Sequence, residues 1–149
     1  MSRVWHLVRR FVGSLSPRPL DPADDTWVRK RLLPGEQALW DRMSRPDRKH
    51  AAGVAREADR LLAGADRRVV AAAALHDVGK VESGFGTFRR VAATLAGAVA
   101  RDRLARGSGR MGRYLRHDAI GADLLDEAGS DPLTVAWARE HHLPPARWS

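Results

Sequence analysis

Leu75-His76-Asp77-Val78-Gly79-Lys80 is the stretch on which this chain turns. It closes an apolar run that begins at Val69. The run predicts a helix over about Asp66–Asp77, with Val69, Ala72, Ala73 and His76 on one side. Gly79 is placed to close that helix in a left-handed turn. Neighbouring helical residues point ~100° apart, so a His-Asp pair at a helix end can straddle one metal ion or serve two adjacent ones.

Outward from this stretch the chain reads as helices, and no segment shows the alternation of a half-buried strand. Ser44 followed by Asp47 marks a capped start for a helix over about Arg45–Ala63, which Gly64 is placed to end. Its inward stripe is His50, Val54, Ala58, Leu61 and Leu62. A further helix is expected over about Thr87–Arg103, and another from near His117 burying Ile120, Leu124 and Leu125. A last one starts at Asp131, an N-cap followed by Pro132, and carries Leu133, Ala136, Trp137 and His141. The fold class is all-α.

His50, His76, His117 and His141 therefore each lie on the apolar stripe of a different helix. One such histidine is ordinarily a core residue with a satisfied hydrogen bond. Four of them, with Asp77 beside His76 and His142 beside His141, call for a shared partner, because imidazole buried alone is costly. Convergent neutral imidazoles with a carboxylate are the donor set of a borderline divalent metal. The chain has no Cys, so disulfides and thiolate ligation are excluded.

The length of 149 residues suits one domain. Its 26 basic residues outnumber 18 acidic ones for a net charge of +8, and only Lys30, Lys49 and Lys80 among them are Lys. Such a charge attracts polyanions in general. An Arg- and Ala-rich composition is equally what a GC-rich genome produces, so charge alone does not make nucleic acid the favoured partner. Residues 1–22 read as a basic amphipathic arm followed by a Pro-rich linker at Pro17, Pro19 and Pro22, and residues 23–149 as the domain. No run approaches a membrane span or a signal-peptide core, which leads to the expectation of a cytoplasmic protein.

At its histidines the sequence resembles the HD-domain superfamily of metal-dependent phosphohydrolases. The resemblance runs over about Arg45–His142. It begins with His50 in Asp47-Arg48-Lys49-His50 and continues with His76-Asp77-Val78-Gly79-Lys80, which is similar to the His-Asp-Ile-Gly-Lys signature of HD-GYP and related cyclic-dinucleotide phosphodiesterases. His117-Asp118-Ala119-Ile120-Gly121 and the pair His141-His142 complete the order. The resemblance implies an HD-domain helical bundle holding one or two divalent ions (Mn, Fe, Ni or Zn). His50, His76, Asp77, His117, His141 and His142 become the ligands, with Asp77 bridging. It further implies a phosphohydrolase or phosphodiesterase that acts on a nucleotide or other small phosphoester through a metal-bound hydroxide. Lys80 would neutralise a phosphate oxygen, and Arg45, Arg48 and Lys49 would meet the substrate. Arg106, Arg110 and Arg113 of the Gly-rich segment are further candidates for the rim.

Two departures shape the alternative. The Gly-Tyr-Pro motif of the HD-GYP branch is absent, and no Asp follows the paired histidines before Ser149 to match the family's last ligand. The expectation is a weakly held second ion, with Asp118 the best substitute, ahead of Glu140 and of Asp131. The alternative function is a catalytically weak or inactive HD domain serving as a metal- or nucleotide-binding regulatory module.

Overall fold

A computed structural model of the chain describes residues 19–83 and 116–147. The described residues form six α-helices and two 3₁₀ turns, with no strand among them. The helices are α1 (Pro22–Arg29), α2 (Pro34–Arg42), α3 (Arg45–Leu61), α4 (Arg67–Leu75), α5 (His117–Glu127) and α6 (Pro132–Glu140). A 3₁₀ segment over Val78–Ser83 follows α4, and a second turn over Pro145–Arg147 follows α6. The expected helix over Thr87–Arg103, the arm at Met1–Leu15, and Arg106, Arg110 and Arg113 lie outside the described residues.

Local chemistry explains the starts. Asp21, Ser44, Asp66 and Asp131 each accept a backbone N–H in the first turn of the helix that follows, the role that short polar side chains fill at an N-cap. Pro22, Pro46 and Pro132 sit in the first turns of three of these helices, and Pro34 in that of α2, where a missing N–H costs nothing. Pro22 thus opens α1, although the sequence places it in the linker. The α3 terminus closes with Ala63 N–H to Arg60 O at 3.3 Å and Gly64 N–H to Asp59 O at 3.0 Å, the paired bonds of a Schellman end. The left-handed residue is Ala63 at φ 51°, and Gly64 follows at φ 110°.

Helix α4 is the centre of the bundle. Val70 through Leu75 are all buried, so α4 is apolar on every side and packs between α3 and α6. Trp40, Leu75 and Leu125 are the largest apolar side chains with no exposed surface. Truncating Leu75 or Leu125 to Ala would cost about 2–5 kcal/mol, the range for a buried leucine.

The helix faces differ from the expected stripes by about one position. In α3 the buried residues are Ala51, Ala52 and Ala55, while Leu61 and Leu62 are 66% and 58% exposed. In α5 they are His117, Gly121, Ala122 and Leu125, and Ile120 and Leu124 are only half-buried. In α6 they are Thr134 and Ala138, with Leu133 at 38% exposure. Small residues occupy the contact lines because they let the helix axes approach, and the larger apolar residues flank them.

A polar network ties the first three helices. Asp25 accepts from Arg29 Nε at 2.6 Å and from Trp40 Nε1 at 2.8 Å. Arg29 also reaches Asp41 at 2.5 Å, and Arg48 of α3 lies 3.8 Å from Asp25. Arg42 at the end of α2 pairs with Glu82, which straps the 3₁₀ segment to α2.

Candidate metal centre

Five elements deliver the site. His50 lies on α3, His76 caps the C-terminus of α4, and Asp77 and Lys80 follow at the 3₁₀ segment. His117 is the first residue of α5, and His141 caps α6 with His142 next to it. Asp77 is the common member. Donor atoms of His50, His76 and Asp77 lie within 4.8 Å of one another, as do those of Asp77, His117, His141 and His142. All six expected ligand residues are therefore brought together. His50 and His142 are exposed, whereas His76, Asp77, His117 and His141 have side chains between 8% and 13% exposed.

Each oxygen of Asp77 faces a different side. Oδ1 lies 3.3 Å from His117 Nε2 and 3.8 Å from His141 Nε2, while Oδ2 lies 3.4 Å from His76 Nε2. Lys80 Nζ donates to Oδ2 at 2.5 Å. The rings are also held from behind. His76 Nδ1 is 2.8 Å from Ala73 O, and His141 Nδ1 is 2.9 Å from Ala138 O. A carbonyl can only accept, so each Nδ1 carries a proton and Nε2 is the ring atom turned toward the cluster.

Electrostatics keep the donors ready. Burial would raise the Asp77 carboxyl, but hydrogen bonds with His117 and His76 and the Lys80 charge outweigh it and hold it well below the usual range. Burial lowers His141, and burial with the neighbouring His141 and His117 pushes His142 down to about 4. His76 moves the other way, because the bond to Asp77 and its charge outweigh burial. Neutral His141 and His142 at pH 7 offer lone pairs rather than protons.

Two observations fit the cluster to a divalent ion. His141 Nε2 is buried and has no hydrogen-bond partner, a costly state unless something else accepts its lone pair. His142 Nε2 and His117 Nε2 point at each other across 3.0 Å, a pairing of ring nitrogens that a shared cation satisfies. Imidazole with a single carboxylate suits a borderline first-row ion better than Mg or Ca.

The expected substitutes for a further carboxylate do not join. Asp118 accepts from the N–H of Ala119, Asp131 caps α6, and neither they nor Glu140 belong to either donor group. The ~100° step from His117 turns Asp118 off the ligand face. The basic residues near His50 also divide. Arg48 turns to Asp25, since two positions along a helix is ~200° and places it opposite His50. Arg45 is exposed and Lys49 half-buried.

Sequence reasoning missed what Gly79 does. Its φ is not positive, so it makes no left-handed turn. A Cβ there would instead lie 1.9 Å from His117 O and 2.6 Å from Gly121 N. The signal was the pairing of this glycine with Gly121 in the two histidine segments.

The fold and centre define a helical bundle built around a His/Asp metal-type site. The family model of the Cas3 HD domain matches residues 36–147, and the chain belongs to that family. HD-domain membership, expected from the motifs, holds, and the match gives no support to the HD-GYP branch in particular. HD domains bind divalent metals and have a metal-dependent hydrolase fold. No curated protein and no solved structure matches the chain. Among the described residues no helix is long and apolar enough to cross a membrane.

Proposed function

We propose that the chain is a divalent-metal-dependent phosphodiesterase whose substrate is a nucleic-acid strand. The observation that carries the reading is Asp77, one carboxylate shared by two imidazole groups that each have the donors for an ion. Ions held by His50, His76 and Asp77 and by Asp77, His117, His141 and His142 would supply Lewis acidity and ionise water near neutral pH.

The side chains do the rest. Asp77 keeps its two oxygens apart and aimed at the two groups, fixed by His76 on one side and His117 on the other. His76 and His141 are held in one tautomer by backbone carbonyls, so ligand direction needs no reorganisation. Lys80 holds its ammonium at the cluster through its bond to Asp77 Oδ2, where a positioned cation favours negative charge developing on a phosphoryl oxygen.

Membership in the Cas3 HD family, whose HD domains are nucleases, favours a strand over a small phosphoester. The charge of +8 and the exposure of His50 and His142 agree with a long polyanion reaching the centre. Mononucleotides and other small phosphoesters, with Arg45 and Lys49 at the rim, are the other arm of the test. Metal-loaded protein would be offered single-stranded DNA, RNA, cyclic dinucleotides and mononucleotides in parallel. The reading expects cleavage of a strand. Turnover confined to the small phosphoesters would move the substrate to that class, and no turnover of any would leave the phosphodiesterase reading without support.

A further inference from the structure

We infer that Gly79 and Gly121 are positioning residues of the metal centre, forming the backbone contact that sets the distance between Asp77 and His117. The inference rests on the metal-centre reading above and adds which residues hold its two halves in register.

Asp77 and His117 are forty positions apart, the one just before the 3₁₀ segment and the other at the start of α5. The two elements meet at backbone. An ideal Cβ on Gly79 would lie 1.9 Å from His117 O and 2.6 Å from Gly121 N. Those are the two atoms that an α-helix joins in its i→i+4 bond. The Gly79 Cα therefore packs closely on the backbone of the first turn of α5. From the other side, a Cβ on Gly121 would lie 3.1 Å from Gly79 N and 3.5 Å from Val78 Cγ1.

The geometry has a consequence for the ligands. Gly79 lies two positions after Asp77, and Gly121 lies one helical turn after His117. A methyl group at Gly79 has backbone in front of it, and one at Gly121 has the Gly79 backbone nearest, with Val78 Cγ1 beside it. Relief comes by moving α5 away from the 3₁₀ segment, far for Gly79 and by a few tenths of an ångström for Gly121. That motion lengthens the 3.3 Å separation of His117 Nε2 from Asp77 Oδ1 and leaves His50 and His76, which belong to α3 and α4, in place. The group Asp77, His117, His141 and His142 should loosen, while the group His50, His76 and Asp77 should not.

Gly35 provides the control. A Cβ there would lie 2.3 Å from Ala128 O, a clash of the same kind where α2 meets the C-terminal end of α5. It strains the fold without entering the ligand set.

The test is a Co(II) titration of the metal-stripped full chain, followed by visible absorption, on wild type, Gly121→Ala, Gly35→Ala and His117→Ala. His117→Ala identifies the ion held by the His117 group. Gly121→Ala, the milder of the two site substitutions, is expected to weaken that ion by about 10–100-fold, the usual effect of disturbing a ligand's support. It should retain the other ion and its helical circular dichroism. Gly35→Ala is expected to lower the melting temperature and leave Co(II) affinity unchanged. Wild-type affinity in Gly121→Ala, or parallel loss in Gly121→Ala and Gly35→Ala, would overturn the positioning role. A wild-type chain that takes up no Co(II) would overturn the metal reading and this inference with it.

Discussion

Lys80 donates to Asp77 Oδ2 at 2.5 Å, on the oxygen that also faces His76. The cation thus sits at the cluster without being one of its lone-pair donors. Replacing it removes positive charge from the reacting region and no ligand. Lys80→Met is expected to keep its metal content and to lose turnover on the order of 10²-fold, as for a removed transition-state donor. Metal analysis beside a rate measurement checks this, and loss of metal in Lys80→Met would make the lysine structural.

Asp77 serves both groups and His142 only one. Asp77→Ala is therefore expected to remove more metal than His142→Ala, measured as ions per chain after identical loading and desalting. Equal content in the two variants would contradict the bridging role.

A second carboxylate, away from the cluster, adds to the acid limb of stability. Burial raises Asp25, but hydrogen bonds from Arg29 and Trp40 outweigh it and hold the group below its ordinary value of 3.8. A depressed carboxyl contributes stability above the unfolded value, and that contribution is lost as pH falls through the folded one. Melting temperature should drop as pH goes from about 5 to 3, and Asp25→Asn should flatten part of that drop. A wild-type profile indistinguishable from Asp25→Asn over this range would remove the network from the account.

Much of this was legible in the sequence where chemistry is local. Ser44 and Asp131 announce helix starts by their own hydrogen bonds, and the order His50, His76-Asp77, His117, His141-His142 announces the cluster. Direction was harder. The stripes through Val54, Leu124 and Leu133 are rotated from the buried faces because Ala55, Gly121 and Thr134 make the contacts, and hydrophobicity alone undervalues small residues. Asp118 looked like a ligand because adjacency in sequence says little about where a helix turns its next side chain. Arg48 looked like a substrate contact for the same reason. The Gly79–His117 contact and the Arg42–Glu82 pair join distant segments, and no periodicity carries such information.

Binding of a strand should depend on salt. A chain of charge +8 that contacts phosphates releases counterions, so log affinity falls linearly with log salt. Asp77→Asn protein, unable to turn over, is expected to bind single-stranded DNA more weakly at each step from about 50 to 200 mM salt by anisotropy. Affinity that does not change over this range would exclude a charge-driven contact with the strand.

The most direct measurement is turnover before and after metal removal. Protein stripped with chelator, then reloaded separately with Mn, Fe(II), Ni and Zn, would be assayed on single-stranded DNA and a generic phosphodiester, with Asp77→Ala alongside. The account predicts no hydrolysis by stripped wild type, recovery with at least one of these ions, and none in Asp77→Ala with any of them. Hydrolysis that survives stripping, or that Asp77→Ala retains, would contradict a catalytic centre built on Asp77 and its histidines.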